Sequence, residues 1–510
     1  MSEYGARVVR GTSWVLALSI VGAIIGYLTR IYLARVFSVE DYGLFYAVLT
    51  FMALFSFIKE FGLNTALVKH ISGYIGSSER SRIKTLIFSV ICLQMVFAFS
   101  VAIFFIATAD YWALNYFKTA SAALPLQIIA FSFAISMFIT LLQSVFQGFG
   151  MMRYFAATET LRITTITASV VGLVGIAGLG VVGAAWSYVI AAVVAPVVMF
   201  IVAMKVVPRL PGAMRASFSA AKEMWLFGLP VFMASIGAIL LGYTDTILLV
   251  GFRSLEEVGL YNVALPTSQL LWFFVGSLSA TLLPTVSELW ASEKKDELKK
   301  GMKILVKTSF FIIVPLAIMM AAFSDNIIVL LFGGKYLGGA AALQILSASS
   351  IFYTIFVVYS TFLMGIGKPW DFAKVYAISA LCFIGIGVVL IPWLGIVGAA
   401  VTSVTSYIIS MMVAFYYVRK NITVEMPKMS IAKIFSSGIL LLVLVLVLKS
   451  VMPVDIWTKV IVCTVIGIIF YVFISIRMGV FDKEDRRYLS RMGIRLPKKL
   501  SGIFAKFSGL

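Results

Sequence analysis

The sequence is poor in charged residues, cysteine and histidine. Only 12% of its 510 residues are Asp, Glu, Lys or Arg, and it has one histidine. Its three cysteines, Cys92, Cys382 and Cys463, lie inside apolar runs without the spacing of a zinc site or a disulfide framework. We therefore interpret them as small buried hydrophobic residues, and we expect no metal site.

Two further features are absent. No GxxxxGK[ST] motif occurs, so the chain lacks the phosphate-binding loop of an ATPase, and we expect no cofactor. No loop between the apolar runs is long enough for a soluble catalytic domain; the longest predicted outer loop covers 109–120. This argues against a polymerase or another membrane enzyme of glycan assembly, and it favours a transporter driven by an ion gradient, the membrane potential or the substrate gradient.

Apolar runs fill most of the sequence. The composition is 61% hydrophobic, the mean hydropathy is +1.04, and each run is long enough to cross a hydrocarbon core of about 30 Å. The sequence predicts an all-α polytopic membrane protein with about 14 transmembrane helices. The predicted spans are 12–35, 43–65, 84–108, 121–146, 155–177, 180–203, 225–250, 260–284, 304–324, 340–364, 372–392, 394–418, 431–449 and 456–476.

The basic residues alternate between the predicted loops. Most of the 41 Lys and Arg residues lie before the first span, in every second loop, or after the last span. The remaining loops contain only Arg35, Lys118, Arg253, Lys335, Lys449 and Lys459. By the positive-inside rule, this asymmetry predicts a multi-pass protein of the cell membrane with both termini in the cytoplasm. The same placement explains the net charge of +19 without a nucleic-acid partner.

A unit of roughly two hundred residues occurs twice, which is a signature of internal duplication. GYLTRIYLARVFSVEDYGLFYAV at 26–48 aligns without a gap with GYTDTILLVGFRSLEEVGLYNVA at 242–264. LGVVGAA at 179–185 recurs as LGIVGAA at 394–400. Six spans per repeat is an even number, so the repeats are predicted to be parallel, as in many transporters. We predict an N-terminal six-helix lobe (1–210), a C-terminal six-helix lobe (211–420), two further helices (421–478) and a basic cytoplasmic tail (479–510).

Several of these segments resemble a known family. LARVFSVEDYGLFYAV at 33–48, FGLNTALVKHIS at 61–72, YTDTILLVGFRSLEEVGLYNVALP at 243–266, LLPTVSEL at 282–289 and IIVLLFGGKYLGGAAALQIL at 327–346 occur in the same order in polysaccharide exporters and O-antigen flippases. This family belongs to the multidrug/oligosaccharidyl-lipid/polysaccharide exporter superfamily. The resemblance implies two lobes around a central cavity and transport of polyprenyl-linked oligosaccharides from the inner to the outer leaflet.

Charged side chains within the spans are costly in a membrane, so each is a candidate functional residue. Arg30, Lys59 and Arg162 are cations that could hold the phosphate of a lipid carrier, because Arg can bind phosphate oxygens in a bidentate manner and Lys acts as a point charge. Each also has a structural explanation. Arg30 and Lys59 could snorkel to a membrane surface, and Arg162 could be neutralised by Glu159 three residues earlier.

The acids within the spans are gating or coupling candidates. Asp245 aligns with Thr29, next to Arg30, in the other repeat. We hypothesise that Arg30 and Asp245 pair in an outer gate when the cavity opens inward. The alternative is that Asp245 orders only its own lobe. Glu60, Glu159 and Asp245 are the acids that could couple protons or sodium.

Uncharged polar residues complete the predicted cavity. Asn64, Gln143, Gln147 and Gln269 could bind sugar hydroxyls, or they could join helices to one another. The repeated pairs Glu40–Asp41 and Glu256–Glu257 are typical of turns rather than of a catalytic dyad or metal site.

The favoured function is a flippase for lipid-linked oligosaccharides, working by alternating access in cell-surface glycan assembly. Its partners would be this substrate and membrane lipids, and it could also contact glycan-assembly enzymes. The first alternative is a multidrug or organic-cation antiporter of the same superfamily. Cationic residues in the cavity favour anionic lipid cargo, whereas acidic ones favour cationic drugs.

Overall fold

A computed structural model describes residues 3–75, 78–208, 210–211, 215, 217–453, 455–481 and 485. The regular structure of these residues is helical, without a strand. Twelve of the described helical segments are long and apolar enough to cross a membrane. The predicted all-α polytopic class is therefore confirmed.

The chain divides into two compact units, Met1–Asn262 and Val263–Leu510. The described helices of the first unit are α1 (Glu3–Val36), α2 (Val39–Leu54), α3 (Ser56–Glu60), α4 (Leu63–Tyr74), α5 (Arg82–Ala107), α6 (Ala109–Asn115), α7 (Ala123–Ile135), α8 (Met137–Gly148), α9 (Met152–Val170), α10 (Gly180–Val206) and α11 (Phe218–Phe252). Helix α12 (Leu255–Gln269) crosses the boundary. The second unit contains α13 (Trp272–Ala291), α14 (Lys295–Ala322), α15 (Ser324–Phe332), α16 (Ala340–Gly365), α17 (Pro369–Asn421), α18 (Lys428–Val451) and α19 (Ile456–Arg477).

The structure has twelve described membrane-length helical segments where the sequence predicts fourteen spans, and the difference has two structural reasons. Helix α17 has 53 residues, or about 80 Å at about 1.5 Å per residue, more than twice the hydrocarbon thickness. Its backbone leaves the helical region at Gly395 (φ 56°, ψ −131°), which separates the two predicted spans there. The predicted span 260–284 is divided between α12 and α13 by turns at Leu270 and Leu271.

The predicted boundary between the lobes near residue 210 stays a prediction. Helix α11 follows that boundary in the sequence, but it packs against α2, α4 and α5, and it therefore falls within the first unit. Within the same unit, α9 packs between α1 and α10, and α7 packs against α5 and α10.

The two sequence repeats meet at a close backbone crossing of α2 and α12. A Cβ atom on Gly43 would lie 1.9 Å from the carbonyl oxygen of Leu255, and one on Gly259 would lie 2.2 Å from that of Val39. Gly43 and Gly259 are equivalent in the repeat, as are Val39 and Leu255. The crossing is therefore symmetric, and it requires glycine because any side chain would collide with the facing backbone.

A second glycine contact lies where the chain turns between α3 and α4. Phe61 and Gly62 both have positive φ angles, 42° and 71°, and they end one helix and start the next. A Cβ atom on Gly62 would lie 2.2 Å from the carbonyl oxygen of Gly228 on α11. This break puts Lys59 and Glu60 at the end of α3 rather than in the middle of a straight span.

The beginning of the predicted tail packs against α14 of the same unit. Lys307 on α14 has a side chain that is 1% exposed, and it forms a salt bridge with Asp485, which is 6% exposed. The Lys307 ammonium also lies 5.7 Å from the ring centroid of Phe481. The rest of the predicted tail, 482–484 and 486–510, lies outside the described residues.

Candidate functional site

A small cavity lies within the first unit, lined by residues of α2, α7, α8, α9 and α10. Its volume is about 150 Å³. The polar lining side chains are Ser132, Ser136, Arg162 and Tyr188. The apolar lining residues are Leu49, Met52, Ala53, Ile129, Phe133, Ile139 and Ala192. The cavity is thus an apolar pocket with a few convergent polar groups, the usual composition of a ligand site.

Arg162 lines this cavity while paired with Glu159 on the same helix. Its Nε donates to Glu159 Oε2 at 3.0 Å, and its Nη2 donates to Oε1 at 2.5 Å. The side chains are 30% and 42% exposed. The structural explanation of Arg162 therefore holds in this conformation, but the pair is open enough for another anion to exchange with the carboxylate.

Lys59 reaches the wall of the same cavity. Its side chain is buried, with 6% of its surface exposed. The ammonium donates to Ser136 Oγ at 3.0 Å and lies 4.9 Å from the ring centroid of Phe133. Both partners line the cavity, and Ser136 lies at the break between α7 and α8. Lys59 is consequently buried inside the unit and does not snorkel to a surface.

Arg30 is connected to the cavity through tyrosines. Its guanidinium carbon lies 4.3 Å from the ring centroid of Tyr46, and the guanidinium interacts with Tyr42 and Tyr188. Tyr188 lines the cavity. The Nη1 atom of Arg30 is buried and has no hydrogen-bond partner among the described residues. A buried donor of this kind is costly to leave unsatisfied, so it is a candidate for binding a ligand oxygen.

The predicted polar residues are dispersed. Gln94 Nε2 donates to Asn64 Oδ1 at 3.0 Å, a bond that joins α5 to α4. Gln143 is half-buried and Gln147 is exposed on α8, and Gln269 lies at the end of α12 in the second unit. None of these four residues lines the cavity described above. Their predicted contacts with sugar stay predictions.

Asp245 on α11 is a buried acid, with 3% of its surface exposed. Its Oδ2 accepts a hydrogen bond from the Tyr261 hydroxyl at 2.7 Å, and its Oδ1 accepts one from the Thr246 N–H at 2.7 Å. Within the described part of the chain it forms no ion pair with Arg30. The predicted gate is therefore not formed in this conformation and stays a prediction.

Three tyrosines that lie around Arg30 were not predicted as site residues. The buried Lys307 was not predicted either. Tyr42, Tyr46 and Tyr188 carry hydroxyls within apolar spans, where a polar tip indicates a partner. Lys307 lies three residues inside the predicted span 304–324 and could have been recognised by that depth. Among the described residues, no group of three or more His, Cys, Asp or Glu side chains could hold a metal ion.

Comparison with known proteins decides the family. Residues 8–290 match the family described as polysaccharide biosynthesis protein. The chain belongs to this family. Residues 230–393 also match the MatE family, as expected for a member of the multidrug/oligosaccharidyl-lipid/polysaccharide exporter superfamily. The resemblance drawn from the sequence is confirmed, and the protein is a transporter of this superfamily rather than an enzyme.

Individual relatives agree with this assignment. An uncharacterized membrane protein, MJ1068 of Methanocaldococcus jannaschii, is 31% identical over 94% of this chain and 96% of its own. The probable low-salt glycan biosynthesis flippase Agl15 of Haloferax volcanii is 22% identical over 41% of this chain and 45% of its own. The inward closed conformation of the lipid II flippase MurJ shares the fold, with a TM-score of 0.76 and 17% identity over 91% of this chain and 99% of that one.

Proposed function

We propose that this protein flips polyprenyl-phosphate- or diphosphate-linked oligosaccharides from the cytoplasmic to the outer leaflet of the cell membrane by alternating access. The termini are cytoplasmic in this proposal. The supporting observation is that Arg162 lines the cavity, whereas Lys59 and Arg30 contact residues that line it. One cation in the cavity wall with two more behind it suits a phosphate, and Arg30 Nη1, which has no hydrogen-bond partner among the described residues, supplies a further donor. The name of its relative Agl15, a probable flippase of glycan biosynthesis, supports a glycan cargo.

The size of the cavity defines its role in this proposal. About 150 Å³ is below the roughly 300–1,000 Å³ of ordinary ligand pockets. It can hold a phosphate but not a glycan. The sugars therefore require the wider opening of alternating access, and the hydrocarbon chain stays in the bilayer. Anion binding at this site would displace Glu159 from Arg162, which turns an internal pair into a ligand contact.

The gate and the coupling site remain part of the proposal. Asp245 would exchange Tyr261 for Arg30 when the cavity opens inward. Asp245 is also the favoured coupling acid over Glu60 and Glu159, because Glu60 neighbours Lys59, Glu159 is already paired with Arg162, and the described bonds of Asp245 come from neutral donors. If Arg30→Gln and Asp245→Asn each transported normally, this gate would be wrong.

The test is leaflet translocation of a fluorescent polyprenyl-diphosphate oligosaccharide in liposomes. We expect protein-dependent flipping that falls in Arg30→Ala and Arg162→Ala. Arg153→Ala is the matched control, because Arg153 is an exposed arginine on α9 whose guanidinium lies over Trp14, away from the cavity. Normal flipping by the Arg30 and Arg162 variants would refute the cationic site.

The second candidate is a multidrug or organic-cation antiporter. It is favoured by the match of residues 230–393 to the MatE family, a segment that includes the buried Asp245. Expulsion of a cationic dye against a proton or sodium gradient, lost in Asp245→Asn, together with no movement of lipid-linked sugar, would establish this function in place of the first.

A further inference from the structure

A long apolar groove runs along one side of the first unit. Its volume is about 1030 Å³. Its lining residues come from α5, α7, α8, α10 and the segment that follows α10. The lining residues are Lys84, Ile87, Ile91, Ile135, Phe138, Leu141, Leu142, Val145, Ala192, Val193, Pro196, Val197, Phe200, Ala203, Met204, Val207, Pro208 and Leu210.

The groove exists because α10 presents small buried residues to it. Ala192, Pro196 and Ala203 are buried, and their short side chains leave the space that larger residues would fill. Phe200 and Met204 are more than half exposed at the rim. From Ala192 to Val207 the groove follows α10 for about 22 Å at about 1.5 Å per residue, which is most of a hydrocarbon core of about 30 Å.

One end of the groove is cationic. Lys84, near the start of α5, is the one lining residue with a polar side chain. It is half-buried. It has no hydrogen bond or ion pair to any residue that the structure describes. An apolar groove that ends in an ammonium group with no described partner is complementary to a hydrocarbon chain that ends in a phosphate.

The other end of the groove adjoins the cationic cavity. Ala192 lines both spaces. Along the break between α7 and α8, Ser136 and Ile139 line the cavity, whereas their neighbours Ile135 and Phe138 line the groove. This helical break therefore faces the groove with some residues and the cavity of Arg162 with their neighbours.

We propose that the groove is the loading site for the polyprenyl chain of the cargo, with its phosphate on Lys84 before the phosphate enters the cavity. This inference rests on the proposed function, and it adds the path of the lipid tail. Continuity with a phosphate-sized cationic cavity is what favours the cargo lipid over a bulk phospholipid, since a bulk lipid needs no access to that cavity.

The test uses a polyprenyl phosphate that carries a photoactivatable diazirine on its chain, with the full-length protein in phosphatidylcholine vesicles. Labelled residues are located by peptide mass spectrometry. We expect labelling concentrated between Val193 and Val207, competed by unlabelled polyprenyl phosphate but not by phosphatidylglycerol. Equal competition by phosphatidylglycerol would overturn the proposal, because the groove would then hold ordinary membrane lipid.

Variants sharpen the test. Lys84→Gln removes one hydrogen bond to a charged group and should lower labelling about tenfold. Ala203→Trp and the rim variant Val197→Trp fill the groove and should abolish labelling. The matched controls are Lys205→Gln, an exposed lysine of α10 that does not line the groove, and Ile103→Trp, an exposed residue of α5 outside it. Unchanged labelling in Lys84→Gln and in a folded groove-filling variant would refute the site.

The flipping assay separates the two proposals. Normal flipping by Val197→Trp, with labelling spread over the surface, refutes the groove and leaves the proposed function standing. Specific groove labelling in a wild-type protein that moves no lipid-linked sugar refutes the proposed function and leaves a lipid site.

Discussion

The symmetric crossing of α2 and α12 makes a quantitative prediction for Gly43→Ala. The new methyl group would lie 1.9 Å from the Leu255 oxygen and 2.8 Å from the Gly259 nitrogen. A carbon–oxygen contact needs about 3.3 Å, so the two helices must separate by about 1.4 Å. Backbone atoms cannot rotate away as a side chain can, and overpacking of this kind costs about 1–3 kcal/mol.

Because each 1.4 kcal/mol changes an equilibrium constant tenfold, this cost should lower the equilibrium constant for the state in which the helices touch by about 5- to 150-fold. Gly259→Ala should behave in the same way, because its methyl group would lie 2.2 Å from the Val39 oxygen. The double variant should cost much less than the sum of the two single variants, since one separation of the helices relieves both collisions.

The assay is a distance distribution between spin labels on Glu40 and Glu256, measured in lipid. These residues are exposed and occupy equivalent positions at the starts of α2 and α12. We expect the population to shift to longer distances in Gly43→Ala, with a lower melting temperature. Gly73→Ala is the control, because a methyl group there would meet nothing within 4 Å. If Gly43→Ala matched Gly73→Ala in both measurements, the close crossing would be refuted.

Three further predictions concern charged residues. Glu159→Gln removes the carboxylate that competes for Arg162 and should tighten equilibrium binding of a polyprenyl phosphate several-fold. Arg162→Lys loses the bidentate geometry and should weaken that binding. Equal affinities in the two variants would contradict the exchange of Glu159 for phosphate on Arg162. Lys307→Met or Asp485→Asn removes one side of a buried ion pair and should destabilise the protein by about 3–5 kcal/mol in thermal unfolding. Lys299→Met, which removes a pair with the exposed Asp296, should have little effect, and Lys307→Met with Asp485→Leu should recover most of the loss. Burial alone would raise the pKa of Asp325. The hydrogen bond from Lys449 at 3.1 Å and the charge of that lysine, together with hydrogen bonds from the Asp325 N–H and the Ser324 hydroxyl, outweigh the effect of burial and lower the pKa below its ordinary value. The pair therefore stabilises the fold above about pH 4 and loses this contribution as the pH falls through the lowered pKa. At neutral pH, Asp325→Asn should be less stable than the wild type by less than about 1 kcal/mol of unfolding free energy, and its melting temperature should lie slightly lower. The two melting temperatures should converge at about pH 2, and a gap that persists at low pH would contradict this.

The sequence alone determined the features that depend on local composition. Long apolar runs can only be membrane spans, so the all-α polytopic class follows from hydropathy. Repeated segments indicated the duplication, and the order of motifs indicated the family. The depth of Arg30, Lys59 and Arg162 was also readable, because residue number along a helix converts directly into distance across the membrane.

Tertiary structure decided which partner each of these side chains has. Helix rotation and packing put Asn64 against Gln94, and they brought Lys59 to Ser136 across 77 positions of sequence. Lys307 meets Asp485 across 178 positions. Gly43 and Gly259 are recognisable as equivalent in the sequence, but only the packed helices show their backbones in contact. Hydropathy determines that a helix crosses the membrane, but it does not determine the direction in which each face of the helix points. The contacts between distant segments fix that direction, and with it the cavity and the groove.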